Sequence, residues 1–377
     1  MPFGSPSDDE WYVADVPKAI ASRRILRPDG TLGPGTLRFA EGLIESLSEV
    51  ADPRFLVSGI VSPGLVDLQV NGRGRVNVAR AAIDVDERAW STLEADLIAS
   101  GTVAWCPTIV SSNDDVYRRV EDGERTLRAA STDPRVRPLS LGLHLEGPQL
   151  GERPGAHDRR VMGPRSSAWW RSRRVRLVTL GAETEGAASI VAELAGTGTT
   201  LSIGHSAPTR EQYETVVAAG ATMVTHLFNA MSGVENRRPG LAAFALNDER
   251  VVAGLIVDGV HVSHELVTIA FRCKPGRIAL VSDSVSVEPP IVTNDGAPRL
   301  ADGTLAGTTL DLATAVRNCV ALGISPSEAL LAASTTPART IGHRSGGVLL
   351  PGRRADVTVF DDSWSVSRVL IGGDEAL

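Results

Sequence analysis

The chain has 377 residues, 42% hydrophobic and 22% charged, a balance that fits a globular protein and excludes disorder. Its 38 basic and 45 acidic residues leave a net charge of −7, which argues against general affinity for nucleic acid or anionic membrane. Cys106, Cys273 and Cys319 are odd in number and scattered, which excludes a disulfide framework and a cysteine-based zinc site.

The opening residues, MPFGSPSDDE, carry neither a basic start nor an apolar stretch, so no secretory signal is expected and a cytoplasmic setting is. From Trp11 to about Ile60, short stretches are broken by Asp29-Gly30, Gly33-Pro34-Gly35 and Gly42, as in small β-hairpins. Eight apolar strand candidates follow, ending at Leu68–Val70, Cys106–Ile109, Leu143–Leu145, Val178–Leu180, Leu201–Ile203, Met223–Val224, Leu255–Val257 and Leu280–Val281. Amphipathic stretches lie between them: Asp86–Ala99, Val116–Ala130, Ala187–Leu194 and Arg210–Ala219. The longest apolar run, Val251–Val257, is too short to span a bilayer.

Strand–helix alternation implies parallel strands with crossover helices, and eight such units suit a (β/α)8 barrel. A doubly wound sheet is the competing α/β architecture. Past a helical region at Pro326–Thr340, Gly346–Leu350 and Ala355–Phe360 read as short strands around the Pro351-Gly352 turn. The expected division is a barrel over 61–340 and one small β-sandwich built from 1–60 and 341–377.

The seven histidines are the main chemical signal. His205, His226 and His261 stand at or just after the fifth, sixth and seventh strand candidates. Glu146 ends the third and Asp283 the eighth. Singly, each is explained by a helix cap or a hydrogen-bonded surface group; jointly, they meet at one mouth if the strands close. Glu146, His205 and His226 make a two-histidine, one-carboxylate set that leaves a position open, as in a catalytic zinc site, although iron or another divalent ion accepts the same ligands. Asp283 is then the carboxylate placed to take and return a proton. His144 either lines the pocket or serves polar contacts in the core.

In the first strand, PGLVDLQVNG, Asp67 and Gln69 stand where many barrel hydrolases place an H-x-H pair for a second metal. Gln69 is a poor ligand and a good partner for a metal-bound water, so one ion is expected. The only lysines, Lys18 and Lys274, are not at the fourth strand end, which excludes a carboxylated-lysine bridge.

HLEGP, GHS with a following threonine, THLFNAM, RRPGL, DGVHV, the aspartate of LVSDS and GTLAGTTL occur in that order. Together they resemble the N-acetylglucosamine-6-phosphate deacetylase family of the amidohydrolase superfamily, over nearly the whole chain. The resemblance implies a metal-dependent hydrolase of amino-sugar metabolism that converts N-acetylglucosamine 6-phosphate to glucosamine 6-phosphate and acetate. It implies one divalent ion, zinc first, on Glu146, His205 and His226, with Asp283 as acid and base. His261, Ala156, His157, Asn229, Ala230, Arg237, Leu305, Ala306 and Gly307 would contact the sugar phosphate or its acetamide, Arg237 and His157 at the phosphate. It also implies a homodimer, whose neighbouring subunit could complete the phosphate site.

Ser282 replaces a usual threonine before Asp283 and leaves the carboxylate intact. The alternatives are an amidohydrolase for another N-acyl amino sugar or amide, and a non-catalytic metal-binding scaffold; the scaffold would have no use for Asp283. The basic stretch Arg159–Arg176, with Trp169 and Trp170, reads either as an anion or nucleic-acid contact or as a solvated helix on the barrel, and the acidic whole favours the helix. Glu288–Arg299, rich in proline and turn formers, is expected to be a loop over the pocket.

Overall fold

Several helices of the expected barrel are started by a side-chain hydrogen bond to the backbone and held by an apolar stripe. In the computed structural model, which describes residues 18–130, 137–173, 175–288, 291–294 and 296–377, Asp86, Asn113 and Ser263 each accept a hydrogen bond from the third backbone N–H of their helices. Thr209 and Gln212 close a reciprocal capping box at the start of Arg210–Ala219. On the helix Glu87–Ala99, Trp90, Leu93 and Leu97 are buried at spacings of three and four. Ala187–Leu194 and Arg210–Ala219 have the bounds their periodicity predicts.

Eight parallel strands pair in chain order: Leu65–Val70, Thr102–Val110, Leu143–Glu146, Val175–Leu180, Thr200–Ile203, Met223–Val224, Val252–Leu255 and Ile278–Leu280. A parallel bridge between Val70 and Ser284, with Asn71 N–H donating to Ser284 O at 2.8 Å, brings the end of the eighth unit back to the first strand. The ring is thereby nearly closed, an α/β barrel and not an open doubly wound sheet. The seventh and eighth strands end at Leu255 and Leu280, earlier than expected, because the chain leaves the ladder to form the mouth. His261 and Asp283 therefore stand on loops beyond the strand ends.

The terminal segments form one seven-stranded sheet in the order Asp374–Glu375, Val366–Ile371, Val357–Phe360, Ile60–Pro63, Lys18–Leu26, Leu32–Ala40, Leu43–Ser48. Ile60–Pro63 joins the two ends, running parallel to Lys18–Leu26 and antiparallel to Val357–Phe360. Ile20, Ile25, Leu37, Phe39, Ile44 and Val357 are among the residues of its own core. At the junction with the barrel stands Gly64, where a Cβ would lie 2.2 Å from the Val103 side chain. Only glycine lets the module strand run into the first barrel strand there.

Two expectations at the termini are corrected. Gly33-Pro34-Gly35 is not a turn; it lies inside the strand Leu32–Ala40, where Pro34 sits opposite the irregularity between Ser22 and Ile25 and needs no ladder donor. Gly346–Leu350 forms no strand, because Gly347 takes φ +75° and Leu349 turns into the module core. Residues 11–17 of the expected hairpin region lie outside the described residues. Pro326–Thr340 is two helices, Pro326–Ala333 and Thr335–Thr340. In the stretch Glu288–Arg299, Val292–Asn294 and Ala297–Arg299 pair as an antiparallel hairpin. Among the described residues, no helix is long and apolar enough to cross a membrane.

Candidate active site

The strands deliver their chemical groups by turning sharply at the mouth. His205, His226 and Asp283 take φ of +51°, +29° and +48°. Left-handed backbone at a non-glycine residue costs on the order of 1–3 kcal/mol and persists where its surroundings fix it.

Glu146 Oε1 lies 3.0 Å from Nε2 of both His205 and His226, and the two nitrogens are 3.1 Å apart. All three side chains are buried. His205 Nδ1 lies 3.1 Å from the Arg153 carbonyl, which can only accept, so Nδ1 carries the proton and Nε2 of the neutral ring offers a lone pair. Lone pairs from an imidazole and a carboxylate thus converge among buried side chains, an arrangement that a divalent cation relieves. His226 Nδ1 is buried without a partner among the described groups. The donor set therefore fits a metal ion, as a two-histidine, one-carboxylate site.

Asp283 is tied to this cluster through amides. Gln69 Nε2 donates to Glu146 Oε1 and to Asp283 Oδ1, each at 3.0 Å, and Asn71 Nδ2 donates to Asp283 Oδ1 at 2.8 Å. Burial, then the nearby Glu146 charge, pushes the Asp283 carboxyl up to about 8. Burial opposes ionisation of Glu146 too, but its contacts with His205 and His226 outweigh it and hold that carboxyl well below its ordinary range. Two neighbouring carboxyls are thus driven apart, which suits Glu146 to hold a cation and Asp283 to carry a proton.

The first strand departs from the expected alignment. Gln69 and Asn71, not Asp67 and Gln69, are the pair that reaches the centre. Asp67 Oδ1 instead accepts from the backbone N–H groups of Gln69 and Ser282, and burial raises its carboxyl to about 6. Side chains alternate along a strand, so all three share a face, and Asn71 stands nearest the mouth.

A cavity of about 490 Å3 opens over the cluster. Ala156, His157, Asn229, Ala230, His261, Leu305, Ala306 and Gly307 all line it, together with Glu146, His205, His226, Asp283 and Asn71. His157 is deep rather than peripheral: its ring packs on His205 at 4.4 Å, and Nε2 lies 3.8 Å from Glu146 Oε2. Burial depresses His157 to about 3, so the ring is neutral. His261 is held at Nδ1 by Asp258 Oδ2, 2.7 Å away, while Asp258 Oδ1 accepts the N–H groups of Val260 and His261. Asp258 and Asn71 went unread in the sequence; the DG before His261 and the NG after Gln69 could have marked both. Arg237 is exposed and does not line the cavity, and among the described lining residues there is no lysine or arginine.

His144 belongs to the core and not to the cavity, with Thr108 at 3.3 Å from Nδ1 and Thr179 at 2.8 Å from Nε2. In the basic stretch, Trp170 is buried and the Arg173 guanidinium lies 4.5 Å over Trp169 while pairing with Glu121 at 3.3 Å. Arg165 pairs with Asp114 and Arg171 with Glu193. These arginines are neutralised within the fold, which is the solvated-helix reading; Arg174 lies outside the described residues.

The amidohydrolase family profile matches residues 60–376. The chain is 31% identical to the N-acetylglucosamine-6-phosphate deacetylase of Homo sapiens, over 95% of this chain and 93% of that one. It is 29% identical to the N-acetylgalactosamine-6-phosphate deacetylase of Escherichia coli O157:H7, over 95% and 98%. Among solved structures, a Mycobacterium smegmatis N-acetyl-D-glucosamine-6-phosphate deacetylase mutant in complex with N-acetyl-D-glucosamine-6-phosphate superposes with a TM-score of 0.86 at 28% identity, covering 96% of this chain and 99% of that one. The Thermotoga maritima N-acetylglucosamine-6-phosphate deacetylase superposes with 0.85 at 26% identity, covering 95% and 99%.

Proposed function

The chain belongs to the amidohydrolase family, and on that premise we propose that it deacetylates N-acetylglucosamine 6-phosphate in amino-sugar metabolism, giving glucosamine 6-phosphate and acetate. The observation that carries this reading is the convergence of Glu146, His205 and His226 within 3.1 Å, with Asp283 joined to them through Gln69.

Glu146, His205 and His226 would hold one divalent ion, zinc first and iron as the other candidate. Such an ion supplies Lewis acidity that polarises an amide carbonyl and makes water more acidic. Asp283 takes the proton of the attacking water and returns it to the departing amine nitrogen, serving as base and then as acid. Gln69 and Asn71 fix Asp283 by its Oδ1 and so set the direction of that exchange. Asp258 accepts from Nδ1 of His261 and so fixes the orientation of that ring in the cavity wall, beside the acetamide. His157, neutral and deep, faces the acetamide end of the cavity.

The phosphate calls for a cation that the described lining lacks, and Arg237 is assigned to it. Its exposed loop allows a supply from the same chain or from the neighbouring copy in a homodimer. A cytoplasmic setting is assigned with it, since the phosphate charge retains such a sugar inside a cell and the three cysteines are free.

Acetate release from a panel of N-acetylglucosamine and N-acetylgalactosamine, each free and 6-phosphorylated, tests the reading. Turnover should be fastest on a 6-phosphate, vanish on chelation and return with one divalent equivalent per chain. The galactosamine arm decides between the two substrates named for the relatives. Full turnover without metal, or a preference for unphosphorylated sugars, overturns the proposal.

A further inference from the structure

Glu183, in the turn GAETEG after the fourth barrel strand, is half-buried, and the partners of its carboxylate are all neutral. Oε1 accepts the backbone N–H of Glu152 at 2.9 Å and that of Ala207 at 2.7 Å, while Oε2 accepts the Ser206 hydroxyl. The Ser206 oxygen in turn accepts the N–H of Ala182, at 3.0 Å, which closes the turn on itself. One carboxylate therefore clamps the loop after the third strand to the loop after the fifth.

Both loops carry site residues. The first runs through Gly151, Glu152 and Arg153 to His157, and the second starts at His205. They are joined again on either side of Glu183: Gly151 N–H donates to His205 O at 2.9 Å, and His205 Nδ1 donates to Arg153 O at 3.1 Å. Gly151 leaves the space the carboxylate occupies, since a Cβ there would stand 1.9 Å from Glu183 Oε1. A metal-binding histidine is oriented by what its other ring nitrogen donates to, and here that acceptor sits one residue from a backbone N–H held by Glu183.

We propose that Glu183 is a positioning residue for the metal centre: by clamping residues 151–153 to 206–207 it fixes the Arg153 carbonyl, and through it the orientation of His205. The inference rests on the metal reading above. It predicts a loss of metal affinity without a matching loss of fold.

The test is zinc affinity of the metal-free protein, measured by competition with a chelating dye, beside its thermal midpoint. Loss of such outer partners typically lowers metal affinity by about 10–100-fold, and Glu183→Ala should fall in that range while the metal-free midpoint changes little. Glu183→Gln retains Oε1 for both N–H groups and should stay within about threefold of the parent protein. Gly151→Ala, which drives a methyl into the carboxylate while leaving Glu183 in place, should reproduce the loss and serves if Glu183→Ala does not fold. Folded Glu183→Ala with parental zinc affinity overturns the proposal, as does Glu183→Gln losing as much as Glu183→Ala. A parent protein that takes up no zinc or other divalent ion instead overturns the metal reading itself.

Discussion

Asp283 is held by two amides rather than by a cation, which leaves its proton free to move. Gln69 and Asn71 both donate to Oδ1, and an asparagine at 283 would keep the oxygen they need. Asp283→Asn should therefore bind metal and substrate nearly as before, while kcat falls by about 10²–10⁴-fold or more, since one group serves both proton transfers. Retention of more than about a tenth of the parental turnover rules out that role. The carboxylate must be ionised to act as base, so the parental rate should also decline on the acid side.

Asp67, deeper on the same strand face, gives a second test through stability. Burial raises it from 3.8 to about 6, so the native state keeps a proton that the unfolded chain releases between those values. Stability from this group is complete below about pH 4 and is lost as pH rises through about 6, by up to about 3 kcal/mol. Asp67→Asn keeps an acceptor for the Gln69 and Ser282 N–H groups. Metal-free Asp67→Asn should match the parent near pH 4 in urea unfolding and exceed it near pH 7. An equal gap at both values means that burial does not raise the Asp67 carboxyl in the native protein.

At the scale of the element, the strands carrying the ligands are tied together beneath the site by side chains. Thr108, His144, Thr179, Thr225 and Ser202 form a buried hydrogen-bonded row across neighbouring strands, with Thr225 Oγ1 at 2.7 Å from Thr179 Oγ1 and 2.6 Å from Ser202 Oγ. Valine has nearly the shape of threonine and no hydroxyl. Thr225→Val should cost about 1–3 kcal/mol in urea unfolding by leaving the buried Ser202 hydroxyl unpaired and Thr179 with His144 alone. An unchanged midpoint would mean that the row is packing alone.

Such a row shows why the strand order was legible in the sequence while part of the site was not. Apolar runs and helical periodicity are local, and they placed all eight strands and put Glu146, His205 and His226 at one mouth. Gln69 and Asn71 acquire meaning only from Glu146 and Asp283, 77 and 212 residues further along the chain. Glu183 acts through backbone groups, which no side-chain pattern records. Gly33-Pro34-Gly35 has turn composition, yet its pairing with Ser22 and Ile25 holds it in a strand.

For the whole molecule, the proposed substrate carries a doubly charged phosphate, while the chain is acidic, net −7, and the described lining of its cavity offers no lysine or arginine. Arg237 is the cation proposed to meet the phosphate. Loss of a charged hydrogen bond costs roughly 1.5–3 kcal/mol, about one to two decades of affinity. Arg237→Ala should weaken use of the 6-phosphate by that much and leave unphosphorylated N-acetylglucosamine nearly untouched. Equal losses on both sugars would make Arg237 structural. Its exposed position raises a further distinction, whether it serves its own cavity or that of a neighbouring copy in the proposed homodimer, and mixing decides it. Arg237→Ala and Asp283→Asn each spoil a site in their own way. If Arg237 acts within its chain, every site in a mixed dimer lacks one of the two groups. If it acts across a two-fold interface, one site of each mixed dimer has both, and random reassembly of equal amounts should restore about a quarter of parental activity. Recovery near that level places the arginine in the partner's cavity; no recovery from dimers shown to have exchanged subunits places it in its own.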